Sequence, residues 1–281
     1  MTDTNDGRWG APDLRGRGAA IAVMARCLQE QAHAPERTRV QRFFGCSPLH
    51  ADAASWYQGS VGELGVARLL ARLDDSWTVL HSVPVGSGSS DIDHVLISSR
   101  GVFTVNTKNH PGARIWATGT GFMVNGRVVG YMHAALHESA RASDLINAST
   151  GIRVAVTPLI VVVEPAAISG SWPDAVVLPA SGLLRWLRRQ PRAFPDDTVA
   201  SIVQAVVRPG TWSSTRVEPC DAAAVKRDFE RLRALVEQAR RRRRLWAFAA
   251  RTAIVATVLA VALLVFRALP QLVAGLFGAA S

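Results

Sequence analysis

The sequence predicts a mixed α/β fold followed by one C-terminal transmembrane helix. Three observations carry this reading. Strand signals between Trp77 and Val163 give way to helix signals after Ser181, with hairpins inside the strand-rich part. Asn125-Gly126, flanked by Phe122-Met-Val and Arg127-Val-Val, has the composition of a two-residue hairpin turn, where both central residues need positive φ. Leu245 to Phe266 is an apolar run of 22 residues interrupted by one charge, Arg251.

Residues 1 to about 17 are polar and Gly-rich and read as a disordered tail, without the apolar run of a signal peptide. Gly18 to Gln31 is alanine-rich and helical, ending before Pro35. Ala51 to Gln58 reads as a second helix. A third opens at Ser60-Val-Gly-Glu63 and runs to Leu73, with Leu64, Ala67, Leu70 and Leu73 on one stripe. The Ser-x-x-Glu spacing fits a capping box, in which Glu63 bonds back to the backbone of residue 60. Strands follow at Trp77–Val83, Ile92–Ser98 and Val102–Lys108. Next come a helix from Met132 to Ala148, a buried strand from Val154 to Val163, and helices at Ser181–Arg189 and Thr198–Val207.

Function is sought first in the hairpin closed by Ser98-Ser-Arg-Gly101. Pairing Ile97 with Val102 sets Val95 against Thr104, Asp93 against Asn106 and Asp91 against Lys108. That register gathers Asp91, Asp93, Asn106 and Lys108 on one face and turns Ile92, Leu96, Phe103 and Val105 to the other, toward a core. Lys108 stands out because only it and Lys226 are lysines among 32 basic residues. A slim ammonium does what a planar guanidinium cannot, reaching a crowded phosphate as a point charge. Carboxylate oxygens suit a hard divalent cation, Mg²⁺ or Mn²⁺. Asp93 supplies the anionic ligand, with the Asn106 amide oxygen and the Thr107 carbonyl as neutral ones. The competing reading is an ion-pair ladder with no chemistry.

Gly62-Glu63, Asp91-Ile-Asp93-His94-Val-Leu-Ile, Gly101-Val-Phe and Thr107-Lys108-Asn-His-Pro-Gly112 occur in that order. Together they resemble the nuclease-related domain (NERD) family, grouped with the restriction-endonuclease-like superfamily, over roughly residues 55 to 165. The resemblance implies a mixed β-sheet flanked by helices and a metal-dependent nuclease acting on nucleic acid, DNA in the first place. By it Glu63 is the helix glutamate, Asp93 the metal aspartate and Lys108 the catalytic lysine. Metal ligands would come from Asp93, Glu63, Asn106 and Asp91, and nucleic-acid contacts from Asn109 and Arg114. The chain departs from the pattern at Asn106, where the superfamily has Glu. A neutral amide binds metal more weakly, so a weakened or inactive binding or scaffold module stands beside the enzyme reading.

The net charge of +10 is concentrated. Between Lys226 and Arg251, ten basic and three acidic residues leave +7, so the rest of the chain carries only +3. A broad basic DNA-binding face on the main domain is not indicated. Leu245–Phe266 spans about 33 Å as a helix, enough for a bilayer core, with Arg251 close enough to the basic end to snorkel. Arg240, Arg241, Arg242, Arg243 and Arg244 abut this span and suit anionic lipid; the positive-inside rule keeps them, and the main domain, on the cytoplasmic side of the cytoplasmic membrane. The expected organisation is an N-terminal tail and helix (1–50), a nuclease-related domain (51–210), a basic juxtamembrane helix (211–244), a transmembrane helix (245–268) and a short tail (269–281).

Other residues carry less. Cys27, Cys46 and Cys220 are too scattered for a disulfide framework or a zinc cluster and suit a reducing compartment. His94 points to the core as a buried histidine. His133 and His137 share a helix face but lack a third ligand. Glu138, Arg141 and Asp144 read as a solvated face, and Trp116 and Trp172 as core or rim.

Overall fold

A computed structural model describes residues 13–85, 91–119, 121–212 and 221–278, with side chains to 267. The chain divides into two compact units, Met1–Ala32 with Ala51–Arg227, and His33–His50 with Asp228–Ser281.

In the first unit, α1 (Ile21–Gln31) and α3 (Ala51–Leu70) precede β1 (Thr78–Pro84), β2 (Asp91–Ser98) and β3 (Gly101–Asn109). Then come β4 (Arg114–Thr118), β5 (Gly121–Val124), β6 (Arg127–Val128) and α4 (Tyr131–Thr150). The unit continues through β7 (Val156–Val163), β8 (Ala167–Ser171), β9 (Val176–Pro179), α5 (Leu183–Arg189), α6 (Asp196–Val206) and α7 (Pro209–Trp212). Short α2 (Arg39–Phe43) belongs to the second unit, with most of α8 (Ala222–Gly278).

Five strands form the main sheet in the order β1-β2-β3-β7-β9, antiparallel from β1 to β3 and parallel from β3 to β9. Helices cover both faces. Val66 and Leu70 of α3 and Leu183 and Leu187 of α5 pack on Leu96, Phe103, Val105, Leu159 and Val161. Ala142 and Ile146 of α4 and Ile202 and Val206 of α6 pack on Val95, Ile97 and Val102. This double coverage is why Leu159–Val163 of β7 is an unbroken apolar run rather than an alternating one. A second sheet, β6-β5-β4-β8, turns Ile115, Ala117 and Phe122 toward Met132 and Ala135 of α4. Asn125 (φ 50°) and Gly126 (φ 81°) make the expected hairpin turn between β5 and β6.

Several expectations are corrected. Residues 51–70 are one helix, so Ser60 lies inside it and bonds back to the Trp56 carbonyl at 2.9 Å. Glu63 therefore has no helix N-terminus to cap. Residues 1–12 lie outside the described residues, but the rest of the supposed tail folds in: Leu14 is buried, and its N–H donates to the Val207 carbonyl. Ile92 packs with Val95 and Ile97 rather than opposite them. Ser82 sits at φ 47°, and the β1–β2 pairing skips Ser82 and Asp93 between His81–His94 and Val83–Ile92 without changing register.

In the second unit, α2 begins with a capping box formed by Thr38 and Gln41. Phe43, Phe44 and Trp246 pack together with ring centroids 4.9–5.2 Å apart. Trp246 Nε1 donates to the Phe43 carbonyl (3.0 Å), and Arg242 donates to the Arg42 carbonyl (2.7 Å). Gly45 (φ 73°) closes the contact, since a Cβ there would meet the Ala239 carbonyl oxygen at 2.5 Å. Beyond Trp246, Ile254, Val255, Val258, Leu259, Leu264 and Phe266 are all more than half exposed. The helix is long and apolar enough to cross a membrane, with none of its most apolar window buried.

Candidate active site

The β2–β3 ladder follows the predicted register through Ile97–Val102, Val95–Thr104 and His94–Val105. There it stops. Two residues on, the Thr107 N–H donates to the Asp93 side chain, at Oδ2 and 2.6 Å. A side chain thus wedges open the end of the hairpin where the polar residues collect. Asp91 consequently does not face Lys108. It pairs with Pro84 of β1, and its carboxylate meets Arg17 at 3.3 Å, an ion pair with both side chains largely buried.

Glu63 arrives from α3. Its Oε1 accepts from the Ala20 N–H (2.7 Å) and lies 3.5 Å from the Ser82 hydroxyl. The capping box is thereby replaced by a bond to a residue 43 positions away. α3 comes this close because position 62 has no side chain: a Cβ on Gly62 would lie 2.7 Å from the Cβ of Asn109. Asn109 ties the same two elements together by donating to the Gln58 carbonyl at 2.7 Å. Arg114, the other expected nucleic-acid contact, is exposed on β4.

Glu63, Asp91 and Asp93 line a cleft of about 600 Å³ together with Ser82, Trp56 and residues of α1. Burial pushes all three carboxyls above their usual range. Mutual repulsion adds to this, most of all for Glu63 beside Asp93. Lys108 and the Thr107 N–H pull Asp93 back down, and Arg17 does the same for Asp91. Lys108 therefore interacts electrostatically with Asp93, whereas the hairpin register set it against Asp91. Its ammonium lies over the Tyr131 ring, 4.4 Å from the centroid. Tyr131 in turn meets His110 Nε2 at 3.1 Å.

Asn106 faces α4. Its Nδ2 donates to both carboxylate oxygens of Glu138, at 3.0 and 2.9 Å, while its Oδ1 is buried without a partner. Glu138 is thus half-buried inside the site and not part of the solvated face, although Arg141 and Asp144 are exposed as expected. Burial raises the Glu138 carboxyl to about 7; Asp93 adds to the rise, whereas Asn106 and Lys108 oppose it. The available signal was heptad spacing: Tyr131 and Glu138 are seven apart, hence on one helix face, beside the buried stripe of Met132, Ala135 and Ser139.

His94 is buried, as expected, and shares a 2.8 Å ring-nitrogen contact with His81. His133 and His137 are exposed. Among the described residues no three of His, Cys, Asp and Glu form a ready-made metal cluster. Trp116 is exposed, and Trp172 packs against the second sheet. Cys27 is buried and Cys46 exposed, both as free thiols, and Cys220 lies outside the described residues.

The fold and this site define an α/β domain of the restriction-endonuclease-like kind, with a long apolar helix attached. Over residues 58–163 the chain matches the family model described as nuclease-related domain. It is also 45 % identical over 60 residues to an uncharacterized protein of Bacillus anthracis, a match covering 20 % of this chain and 28 % of that protein. No solved structure matches the chain.

Proposed function

We propose that the chain is a membrane-tethered, divalent-metal-dependent nuclease that cleaves phosphodiester bonds, in DNA first. The observation that carries this reading is the convergence of Glu63, Asp93 and Lys108 at the opened hairpin, inside a nuclease-related domain. The donor set is all oxygen, as Mg²⁺ or Mn²⁺ prefers, and the orphaned Asn106 Oδ1 is a buried acceptor that a cation would satisfy. Asp93 and Glu63 would hold the ion, with Asp91 and Asn106 as further oxygen donors. A bound divalent ion polarises the phosphate and acidifies a water.

The chain's own part is positioning and charge. The Tyr131 ring steadies the Lys108 ammonium through its π-face, so the contact uses none of the three N–H donors. Those donors serve the phosphate oxygen on which charge develops. Asp93 spends one oxygen on Thr107 and keeps the other for the ion. Exposed Arg114, with Asn109 at the end of β3, would contact the nucleic-acid backbone, where a guanidinium binds phosphate in any sequence. α8 would anchor the protein in the cytoplasmic membrane, with Arg240–Arg244 at anionic headgroups and the nuclease-related domain in the cytoplasm.

The full chain in detergent micelles should nick plasmid with Mg²⁺ or Mn²⁺, and Lys108→Ala should slow nicking by about 100-fold or more. Equal rates would refute the assignment. Asn106 favours a second reading, a nucleic-acid-binding module without turnover. A gel shift at low salt with no cleavage under either metal would select it.

A further inference from the structure

We propose that Glu138 supplies, from α4, the metal-facing carboxylate that β3 lacks at position 106. Asn106 and Glu138 would then divide between them the work of one strand glutamate: Glu138 brings the charge, and Asn106 aims it. The inference rests on the nuclease reading above and specifies one of its ligands.

Five observations support it. Asn106 occupies the strand position of the missing acid, on the Lys108 side of β3, and is only 6 % exposed. Its amide nitrogen lies within 3.0 Å of both Glu138 oxygens, a contact that fixes the carboxylate while leaving lone pairs on each oxygen. Its own Oδ1 is buried with no partner, an unmet acceptor that a plain strand-to-helix tether would not require. Glu138 also interacts electrostatically with Asp93 and Lys108. Tyr131, seven residues earlier on the same helix, holds Lys108. One face of α4 thus presents both the acid and the seat of the lysine.

The bland alternative is that Glu138 only fastens α4 to β3. Glu138→Gln separates the two, because a glutamine oxygen still accepts from Asn106 but contributes no charge. Mn²⁺ binding to the full chain in detergent micelles, read by calorimetry and by the ion's electron spin resonance signal, should weaken at least tenfold in Glu138→Gln. The double variant Asn106→Glu/Glu138→Gln, which returns the acid to the strand, should bind within a few-fold of wild type. Glu138→Asp keeps the charge but withdraws it by one methylene. It should also bind more weakly, and it serves if the Gln variant does not fold.

Unchanged Mn²⁺ affinity in the folded single variants would overturn the inference, as would a wild-type chain that binds no Mn²⁺. The nuclease reading is judged separately. Mn²⁺ binding that depends on Glu138 without plasmid nicking keeps the ligand and rejects the enzyme. Nicking that needs Asp93 but tolerates Glu138→Gln keeps the enzyme and rejects the ligand.

Discussion

The two units break the same rule in opposite directions. In the first, Glu63, Asp93 and Asn106 are withdrawn from water beside an apolar sheet. In the second, Val258, Leu259 and Phe266 stand in the open, the last 76 % exposed. Buried charge and exposed hydrocarbon are both costly to a protein in plain water. Under the function proposed above, a cation against phosphate would offset the first cost and a lipid bilayer the second. Apolar atoms that serve as core in the first unit would, on that reading, serve as anchor in the second.

Three experiments would break or sharpen this contrast. The largest effect belongs to the helix. Leu259→Arg places a guanidinium in the middle of the apolar run, which should cost about 3 kcal/mol of insertion and lower liposome partitioning roughly 100-fold. Unchanged partitioning would mean that the exposed face does not enter lipid.

An intermediate effect is expected at Gly62→Val, whose Cβ would collide with Asn109. Thermal unfolding of the full chain in micelles should reveal a loss of about 1–3 kcal/mol. A neutral result would show that α3 can back away from β3.

The smallest effect concerns pH. Burial raises the Glu63 carboxyl above its unfolded value, so the folded state holds its proton more tightly. The ionised form therefore destabilises. Its cost is absent below the unfolded pKa and full above the folded one. Glu138, raised to about 7 from 4.5, adds the same slope across that window. Metal-free stability should fall as pH climbs from about 4.5 to 7, and Glu63→Gln should be more stable than wild type at pH 8. A variant less stable than wild type at pH 8 would mean that the buried acid is held ionised by its partners.

What could be read from the sequence was local. The hairpin at Ser98–Gly101, the Asn125-Gly126 turn and the buried strand β7 follow from turn chemistry and period, and all three are present. The apolar helix follows from run length. What escaped were polar bonds between distant positions. Arg17 reaches Asp91 across 74 residues, Asn106 reaches Glu138 across 32, and Trp246 reaches Phe43 across 203. Period says which face a residue takes but not which polar group waits opposite. Gly59-Ser60 looked like a helix boundary because both residues favour caps and turns; packing of α3 on the sheet overrides that preference.

The missing side chain at Gly45 has a mechanical outcome. With backbone pressed on backbone at Ala239 and Arg243, residues 39–46 grip α8 like a ferrule on a rod. A side chain at position 45 would have to push the two backbones apart, and with them the packing of Phe43 and Phe44 on Trp246 of α8.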